Sequence, residues 1–344
     1  MAVPNYSPSV LHTPQPLVDI CIAYDPSEAG YIRRAFFPQK AVTHTSDYIR
    51  SIDTASLLRL YDNDMSTNAI APSVAFTIGA NQQYTCVPYA ARMPVSPYDV
   101  ANADAAIQFP MRAARYCMQT MDLRMEYAAV VSKLTSTSVL TNFETLAAAE
   151  RWDNYGSVDS DPVVDLQAAV NQVRVRIGKP KARVKVAIHL YTWNAIRNHP
   201  SVLQRISAGT VNSNGAVLTR DVFAGMIDLL SGDDLVITAA KYTSSQEGET
   251  TATYQSFIRA NAIVGYCDDG GLDDFALGHE FAFNGMGGTD PYFVRQYRVE
   301  QEGIAGTDYV QVATSLDFKV TNADAGFLFT ACIDTTNTEM YPQI

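Results

Sequence analysis

Few stretches of this sequence bring together residue types that could do chemistry. His279-Glu280 begins like the zinc-binding motif H-E-x-x-H, but the fifth position is Phe283, so the second imidazole that must lie one helical turn away is missing. The glycine-rich stretch 285–288 resembles a phosphate-binding loop, yet it lacks the Lys-Ser/Thr ending and begins no evident helix. We interpret it as a simple flexible loop.

An acidic stretch, residues 267–274, carries four carboxylates that could offer oxygens to Ca²⁺. It lacks the alternating ligand order and the terminal Glu of an EF-hand loop, so it is interpreted as a solvated acidic turn. No G-x-S-x-G motif is present, and four histidines have no nearby Ser or Cys in a recognised nucleophile setting: His12, His44, His189 and His199. We therefore predict no catalytic, cofactor-binding or metal-binding residues and no enzyme, although spacing leaves open a triad assembled from distant residues.

The five cysteines are widely spread: Cys21, Cys86, Cys117, Cys267 and Cys332. Their number is odd and no C-x-x-C occurs, which favours buried reduced thiols over a disulfide framework or a zinc site.

The charge balance, 25 basic against 36 acidic side chains, gives a net charge of −11. Residues 1–243 hold 21 of each sign, whereas 244–344 hold 4 basic and 15 acidic side chains. Such a chain has no electrostatic reason to grip nucleic acid or anionic lipid, and no basic patch is expected. No stretch approaches eighteen consecutive apolar residues, and the first cation is Arg33, so neither a transmembrane helix nor a signal peptide is predicted. We expect a soluble chain made in the cytoplasm.

The first part of the chain, before residue 29, is predicted to be extended. Pro4, Pro8, Pro14 and Pro16 forbid a helix and favour an arm that lies on something else. A short helix is predicted within 29–37, ended by Pro38. Residues 74–78 alternate as a strand, 79–81 form a turn, and 83–89 resume the extended pattern, which predicts a β-hairpin. An isolated two-stranded ribbon is marginal in water, so this hairpin needs a neighbour.

A long helix follows, which we call the spine. Its apolar stripe recurs at alternating spacings of 4 and 3 and favours core packing: Ile107, Met111, Ala114, Met118, Met121, Met125 and Ala128. Further on, Ser160-Asp161-Pro162 and Gly178 bound a second helix.

The middle of the chain continues as strand 184–190, a helix around Trp193, a helix from Thr219 to Leu230, and strands at 234–240 and 260–266. This is an α+β pattern with a mixed sheet. The final part predicts three strands, within 293–299, 310–320 and 327–333. The length of 344 residues predicts two packed regions, or one domain with long excursions.

Several short stretches occur in a fixed order along these elements: Phe36-Phe37-Pro38, Ala71-Pro72, Asn102-Ala103, Trp152, Ser160-Asp161-Pro162, Trp193, His199-Pro200-Ser201-Val202 and Gly265-Tyr266. Together with the order of the elements, they resemble the major capsid proteins of tailed bacteriophages, whose Hong Kong 97-like fold encapsulins share. The resemblance spans nearly the whole chain.

The resemblance implies an α+β subunit with six regions. They are an N-terminal arm (1–35), a connection (36–54), an extended loop (55–97), the spine helix and peripheral domain (98–179), an axial domain (180–290), and C-terminal strands that are mainly peripheral (291–344).

The implied function is that of a capsid protein that self-assembles through pentamers and hexamers into an icosahedral shell around packaged double-stranded DNA. The resemblance implies no cofactor, no membrane and no sequence-specific DNA binding. Its partners would be itself and portal, separate scaffold and cement proteins, in a virion whose subunits are made in the host cytoplasm. Two alternatives stay open: an encapsulin-like compartment around protein cargo, and a soluble α+β enzyme.

Overall fold

The computed structural model describes residues 30–49, 58–61, 64–65, 67, 70–71, 73, 82–102, 109–209, 218–246, 249, 253–267, 275–285, 292–303 and 306–335. The predicted arm before residue 30, the first hairpin strand at 74–78 and the carboxylates at 268–274 lie outside these ranges. Within the described ranges, no helix is both long enough and apolar enough to cross a bilayer.

Helices and strands alternate irregularly along the chain, which confirms the mixed α and β class. The α-helices are α1 (Arg33–Phe36), α2 (Pro97–Asn102), α3 (Phe109–Glu126), α4 (Pro162–Ile177), α5 (Leu190–Arg197), α6 (Pro200–Gly209) and α7 (Arg220–Met226). The strands are β1 (Gln39–Val42), β2 (Ser46–Ile49), β3 (Gln82–Thr85), β4 (Val87–Val95), β5 (Phe143–Thr145), β6 (Val184–His189), β7 (Leu235–Thr238), β8 (Lys241–Thr243), β9 (Tyr254–Ser256), β10 (Ala262–Tyr266), β11 (Gly278–Phe283), β12 (Tyr292–Val299), β13 (Thr307–Val320) and β14 (Gly326–Thr330).

The spine is α3 together with a π-helical continuation, Tyr127–Leu134. The predicted stripe is confirmed at Ala114, Met118, Met121 and Met125, which are buried, whereas Met111 is only partly buried. The helix packs on β4 and β13. Past residue 126 the buried set shifts to Ala129, Val130 and Leu134, while Ala128 is only partly buried. A π-helix closes its hydrogen bonds over five residues, so its wider turns move the buried face away from the spacing of 3 and 4.

Helix α4 begins and ends where the sequence predicts. The Asp161 carboxylate caps it by accepting the N–H groups of Val163 and Val164, and Pro162 occupies the first turn, where no N–H is needed. Gly178 ends the helix at φ +68°, a left-handed conformation that only glycine adopts without a Cβ penalty.

Two five-stranded sheets form the framework. In the first sheet the order is β1-β11-β13-β12, with β4 also paired to β13; β1 runs parallel to β11 and the other pairs are antiparallel. In the second sheet the order is β5-β14-β10-β6-β7, with α4 packed on its central strands. Strand β11 precedes the predicted boundary at 290 yet belongs to the first sheet, and β14 follows it yet belongs to the second. The domain boundaries stay a prediction.

The short helix α1 lies between the two sheets and joins their cores. The Phe36 ring packs against Gly265 of the second sheet, where an added Cβ would lie 3.2 Å from the ring. The Phe37 ring packs against Gly278 of the first sheet, where an added Cβ would lie 2.8 Å from the ring. Both phenylalanines are fully buried in the same apolar cluster, which includes side chains from both sheets. The two packed regions that the length predicts therefore share one core.

The predicted extended run 83–89 divides at Cys86. Strand β3 pairs with β2 as a separate two-stranded ribbon, whereas β4 pairs with β13 in the first sheet. The Cys86 N–H donates to the Thr45 carbonyl at 2.7 Å, which marks the change of partner. A second ribbon joins β8 and β9. The four cysteines that the structure describes are buried and form no disulfide with one another, as predicted.

Candidate functional site

His279 and Glu280, which begin the incomplete zinc motif, lie on strand β11 and not on a helix. Both are buried, and successive side chains of a strand point to opposite faces, so the two cannot bind one ion from one side. Among the described residues, no group of three His, Cys, Asp or Glu side chains is arranged to hold a metal ion.

A Ser–His pair that sequence reasoning missed connects residues 39 positions apart. The Ser160 hydroxyl lies 3.1 Å from His199 Nε2, and both side chains are buried. The Ser201 N–H points at His199 Nδ1, 3.2 Å away, so Nδ1 accepts and the neutral ring carries its proton on Nε2. Ser160 Oγ meanwhile donates to the Arg151 carbonyl at 2.7 Å. The imidazole therefore faces Ser160 with a proton instead of a lone pair, which suits anchoring of helix ends and not activation of a nucleophile.

The strongest buried electrostatic feature is an ionic cluster around Arg33, which is 1% exposed. Its guanidinium donates to Asp122 of the spine at 2.6 Å and to Glu280 of β11 at 2.9 Å. Glu126, one turn further along the spine, accepts the backbone N–H groups of Ile32 and Arg33 at 2.8 and 3.2 Å. The cluster thus joins α1, the spine and the first sheet.

Two of the three carboxyl groups in this cluster bind the Arg33 guanidinium, and the third, Glu126, binds backbone N–H groups. Burial raises the pKa of Glu126 to about 7, although its two backbone hydrogen bonds oppose the shift. Burial also raises the pKa of Asp122 and of Glu280, against the opposing effect of Arg33. Removing one partner of such a buried network leaves an uncompensated charge, so the cluster fixes the position of α1 more than it adds net stability. No local sequence signal marks it, because the acidic partners of Arg33 lie 89 to 247 positions from it.

The segment before the spine exposes large apolar side chains. In the predicted extended loop Leu60 and Ile70 are each 96% exposed, and Tyr98 of α2 is 74% exposed. Several others in and beside this segment are exposed to a smaller degree: Tyr48, Leu58, Met65, Val87 and Val100. Seven of the eighteen large apolar side chains that are exposed among the described residues lie within 58–102, which makes this segment a candidate interaction surface. We call residues 58–102 the apolar segment.

The outer face of the spine is basic, contrary to the expectation that no basic patch exists. Arg112, Arg115 and Arg124 are all exposed, whereas the only acids of the spine, Asp122 and Glu126, are buried in the ionic cluster. In the sequence four basic and two acidic side chains are interleaved along the spine. The fold separates them because both acids bind the segment at the start of α1: Asp122 accepts from the Arg33 guanidinium, and Glu126 accepts from backbone N–H groups.

No protein-family model matches this sequence. No curated protein matches it either.

Solved structures, in contrast, share the fold over nearly the whole chain. A phage-related protein from Bordetella bronchiseptica RB50 has a TM-score of 0.68 and 17% identity, covering 94% of this chain and 98% of that one. The capsid of cyanophage P-SCSP1u has a TM-score of 0.50 and 11% identity, covering 85% of each chain. The SrpI encapsulin of Synechococcus elongatus PCC 7942 has a TM-score of 0.51 and 10% identity, covering 97% and 94%. At these identities the likeness is one of fold, and this chain has the fold shared by a phage-related protein, a viral capsid and an encapsulin.

Proposed function

We propose that this chain is the major capsid protein of a tailed bacteriophage, a shell subunit with the Hong Kong 97-like fold. The observation that carries the proposal is the likeness of fold to a phage-related protein over 94% of the chain and to a cyanophage capsid over 85%. A fold can host unrelated functions, so the surfaces must support the proposal as well.

The apolar segment supplies that support. In a lone subunit the exposed side chains of Leu60 and Ile70 do not contribute to stability through burial. Burying one Leu or Ile side chain at a contact would stabilise that contact by about 1.5 to 3 kcal/mol. In a shell the segment would lie on the adjacent subunit, as the extended loop. The first sheet with the spine would then form the peripheral domain, and most of 180–290, in the second sheet, the axial domain.

The proposed shell closes by repeating one heterologous contact, which generates rings of five and six subunits. It would enclose double-stranded DNA without reading its sequence, and it would work with portal, scaffold and cement proteins in the virion. The subunit has no catalytic role in this proposal.

An encapsulin-like compartment around protein cargo is the second candidate, because the SrpI encapsulin shares the fold at a similar TM-score. The two differ only in what the particle holds.

The test is to express the full chain, purify any particles by sedimentation, image them by negative-stain microscopy and extract their contents. Closed shells with nuclease-protected double-stranded DNA, from infected or induced host cells, would support a capsid. Shells that hold protein and no DNA would favour the compartment. A small discrete oligomer would contradict both and favour the soluble enzyme.

A further inference from the structure

The basic outer face of the spine continues into a groove of about 840 Å³ beside it. The groove lies between the spine, the β8–β9 ribbon and residues 255–261. Two guanidinium groups line it, those of Arg124 and Arg259, together with the hydroxyl groups of Thr120, Thr243 and Ser244, and no carboxylate is among its described lining residues. We call Arg112, Arg115, Arg124 and Arg259 the basic stripe.

The cations of the stripe lack acidic partners. Among the residues that the structure describes, no carboxylate lies within 4 Å of Arg112, Arg115 or Arg124, whereas Arg205 and Arg220 on other faces each have one. Arg124 instead lies over the Tyr127 ring, 5.4 Å from its centre. These charges are therefore available to an external anion.

The position of the Arg259 side chain is fixed by its backbone conformation and its neighbours. Its backbone has φ +56°, which residues with a Cβ rarely adopt. Its guanidinium donates to the Gln255 amide oxygen, which also accepts from the Tyr242 hydroxyl at 3.0 Å. A strained backbone persists where the surrounding structure fixes it, and such positions concentrate at binding sites.

The spacing suits a continuous polyanion. At 1.5 Å per residue, Arg112 and Arg124 lie about 18 Å apart along the helix. Arg115 and Arg124 are nine residues apart and project towards opposite edges of the exposed half of the helix, with Arg112 between them. Duplex DNA presents one negative charge per about 1.7 Å of its axis, so a duplex that lies along this exposed half has phosphates within reach of the long arginine side chains on both edges. A protein partner would need carboxylates at matching positions. The core of a protein interface is also depleted of charge, whereas the exposed residues of this face are polar or cationic except Tyr116.

We infer that the basic stripe is a phosphate-backbone site that contacts the packaged duplex DNA, so the spine and its groove face the inside of the shell. This inference rests on the proposed function and names the surface that such a shell turns inward. The contact carries no sequence information, because it uses only charge and hydroxyl groups.

The test uses the full chain, diluted below the concentration at which light scattering detects shells. Its binding to a fluorescent 20-bp duplex of mixed sequence is measured by anisotropy between about 20 and 200 mM salt, a range in which phosphate contacts weaken steeply. The stripe variant carries Arg112→Gln, Arg115→Gln, Arg124→Gln and Arg259→Gln. The control variant removes three exposed cations elsewhere: Lys181→Gln, Arg197→Gln and Arg220→Gln. A third variant keeps the stripe charge with Arg→Lys at all four positions.

We expect the stripe variant to melt like wild type, to form shells of the same size, and to bind the duplex at least about tenfold more weakly. The slope of log affinity against log salt should be shallower by about 2 to 4, since each lost phosphate contact removes about 0.9. The control and the lysine variant should keep the wild-type slope, and a duplex of scrambled sequence should bind equally well.

Three results would overturn the inference. Wild type could fail to bind the duplex even at about 20 mM salt, where phosphate contacts are strongest. The stripe and control variants could weaken binding equally, which would mean diffuse attraction. The stripe variant could stay folded but unassembled, which would identify the stripe as a contact between subunits. If wild type forms no shells at all, the proposed function fails, while the duplex assay on dispersed subunits still tests the stripe on its own.

Discussion

At the scale of single residues, the spine presents two kinds of buried side chain within three turns. Met118 is 1% exposed and lies in the apolar cluster that spans both sheets. Met118→Asp would bury an unpaired charge there, so we expect a loss of about 3 to 5 kcal/mol in the free energy of unfolding, or no soluble subunit. Urea denaturation of the unassembled chain measures this. Gln119→Asp, one residue further and exposed, is the matched control and should change stability by less than about 1 kcal/mol. Equal melting of the two variants would mean that the buried face is assigned wrongly.

Glu126 makes stability depend on pH. Its folded-state pKa of about 7 lies above the ordinary glutamate value of 4.5, so the folded chain holds this proton more tightly than the unfolded chain. The contribution of Glu126 is therefore fully present below about pH 4.5 and is lost as the pH rises through about 7, by at most on the order of 3 kcal/mol.

The corresponding experiment compares urea unfolding of wild type and Glu126→Gln at pH 5, 6 and 7.5. As the pH rises across this range, the free energy of unfolding of wild type should fall relative to that of the variant. The hydrogen bond that the variant loses shifts its free energy by a constant amount and does not change this trend. A Glu126→Gln curve that is parallel to the wild-type curve would contradict the shifted pKa.

At the scale of elements, the sequence predicts what local signals encode. Helix α4 could be bounded to the residue because Asp161, Pro162 and Gly178 act within one turn of its ends. The pairing of β14 with β10, and of β3 with β2, could not be predicted, because partners depend on contacts between distant parts of the chain. The basic stripe could not be predicted for the same reason. Its cations are visible in the sequence, but they dominate the exposed face only because Asp122 and Glu126 are buried through their contacts with Arg33, which is distant in the sequence.

The apolar segment gives an element-scale prediction. Leu60→Ser with Ile70→Ser removes two side chains that are each 96% exposed, so the melting temperature of the unassembled subunit should stay within about 2 °C of wild type. Shell formation, followed by light scattering and microscopy, should fall sharply, because in the proposed shell those side chains would be buried against a neighbouring subunit. Val158→Ser with Val175→Ser removes two other exposed apolar side chains, 96% and 78% exposed, and should leave assembly intact. Normal shells from the first pair would argue against the segment as a contact surface.

At the scale of the whole particle, we expect subunits joined without covalent bonds. In some shells with the Hong Kong 97-like fold, an isopeptide bond from a lysine in the extended loop links neighbouring subunits. In this sequence no lysine occurs between Lys40 and Lys133. An arginine cannot replace it, because its guanidinium stays protonated. Boiled particles on a denaturing gel should therefore give one band near 37.6 kDa. A ladder of multimers that persists in reducing agent would refute this prediction.

The ionic cluster cannot form until late in translation. Arg33 is translated 247 residues before its partner Glu280, and strand β1 pairs with β11, the strand that carries Glu280. At about 5 to 20 residues per second, the interval is roughly 12 to 50 s. During that time α1 has no complete docking place, and Phe36 and Phe37 cannot reach the glycine sites at Gly265 and Gly278. A nascent chain therefore cannot finish its fold, or offer a finished surface to another subunit, until Glu280 and strand β11 have been translated.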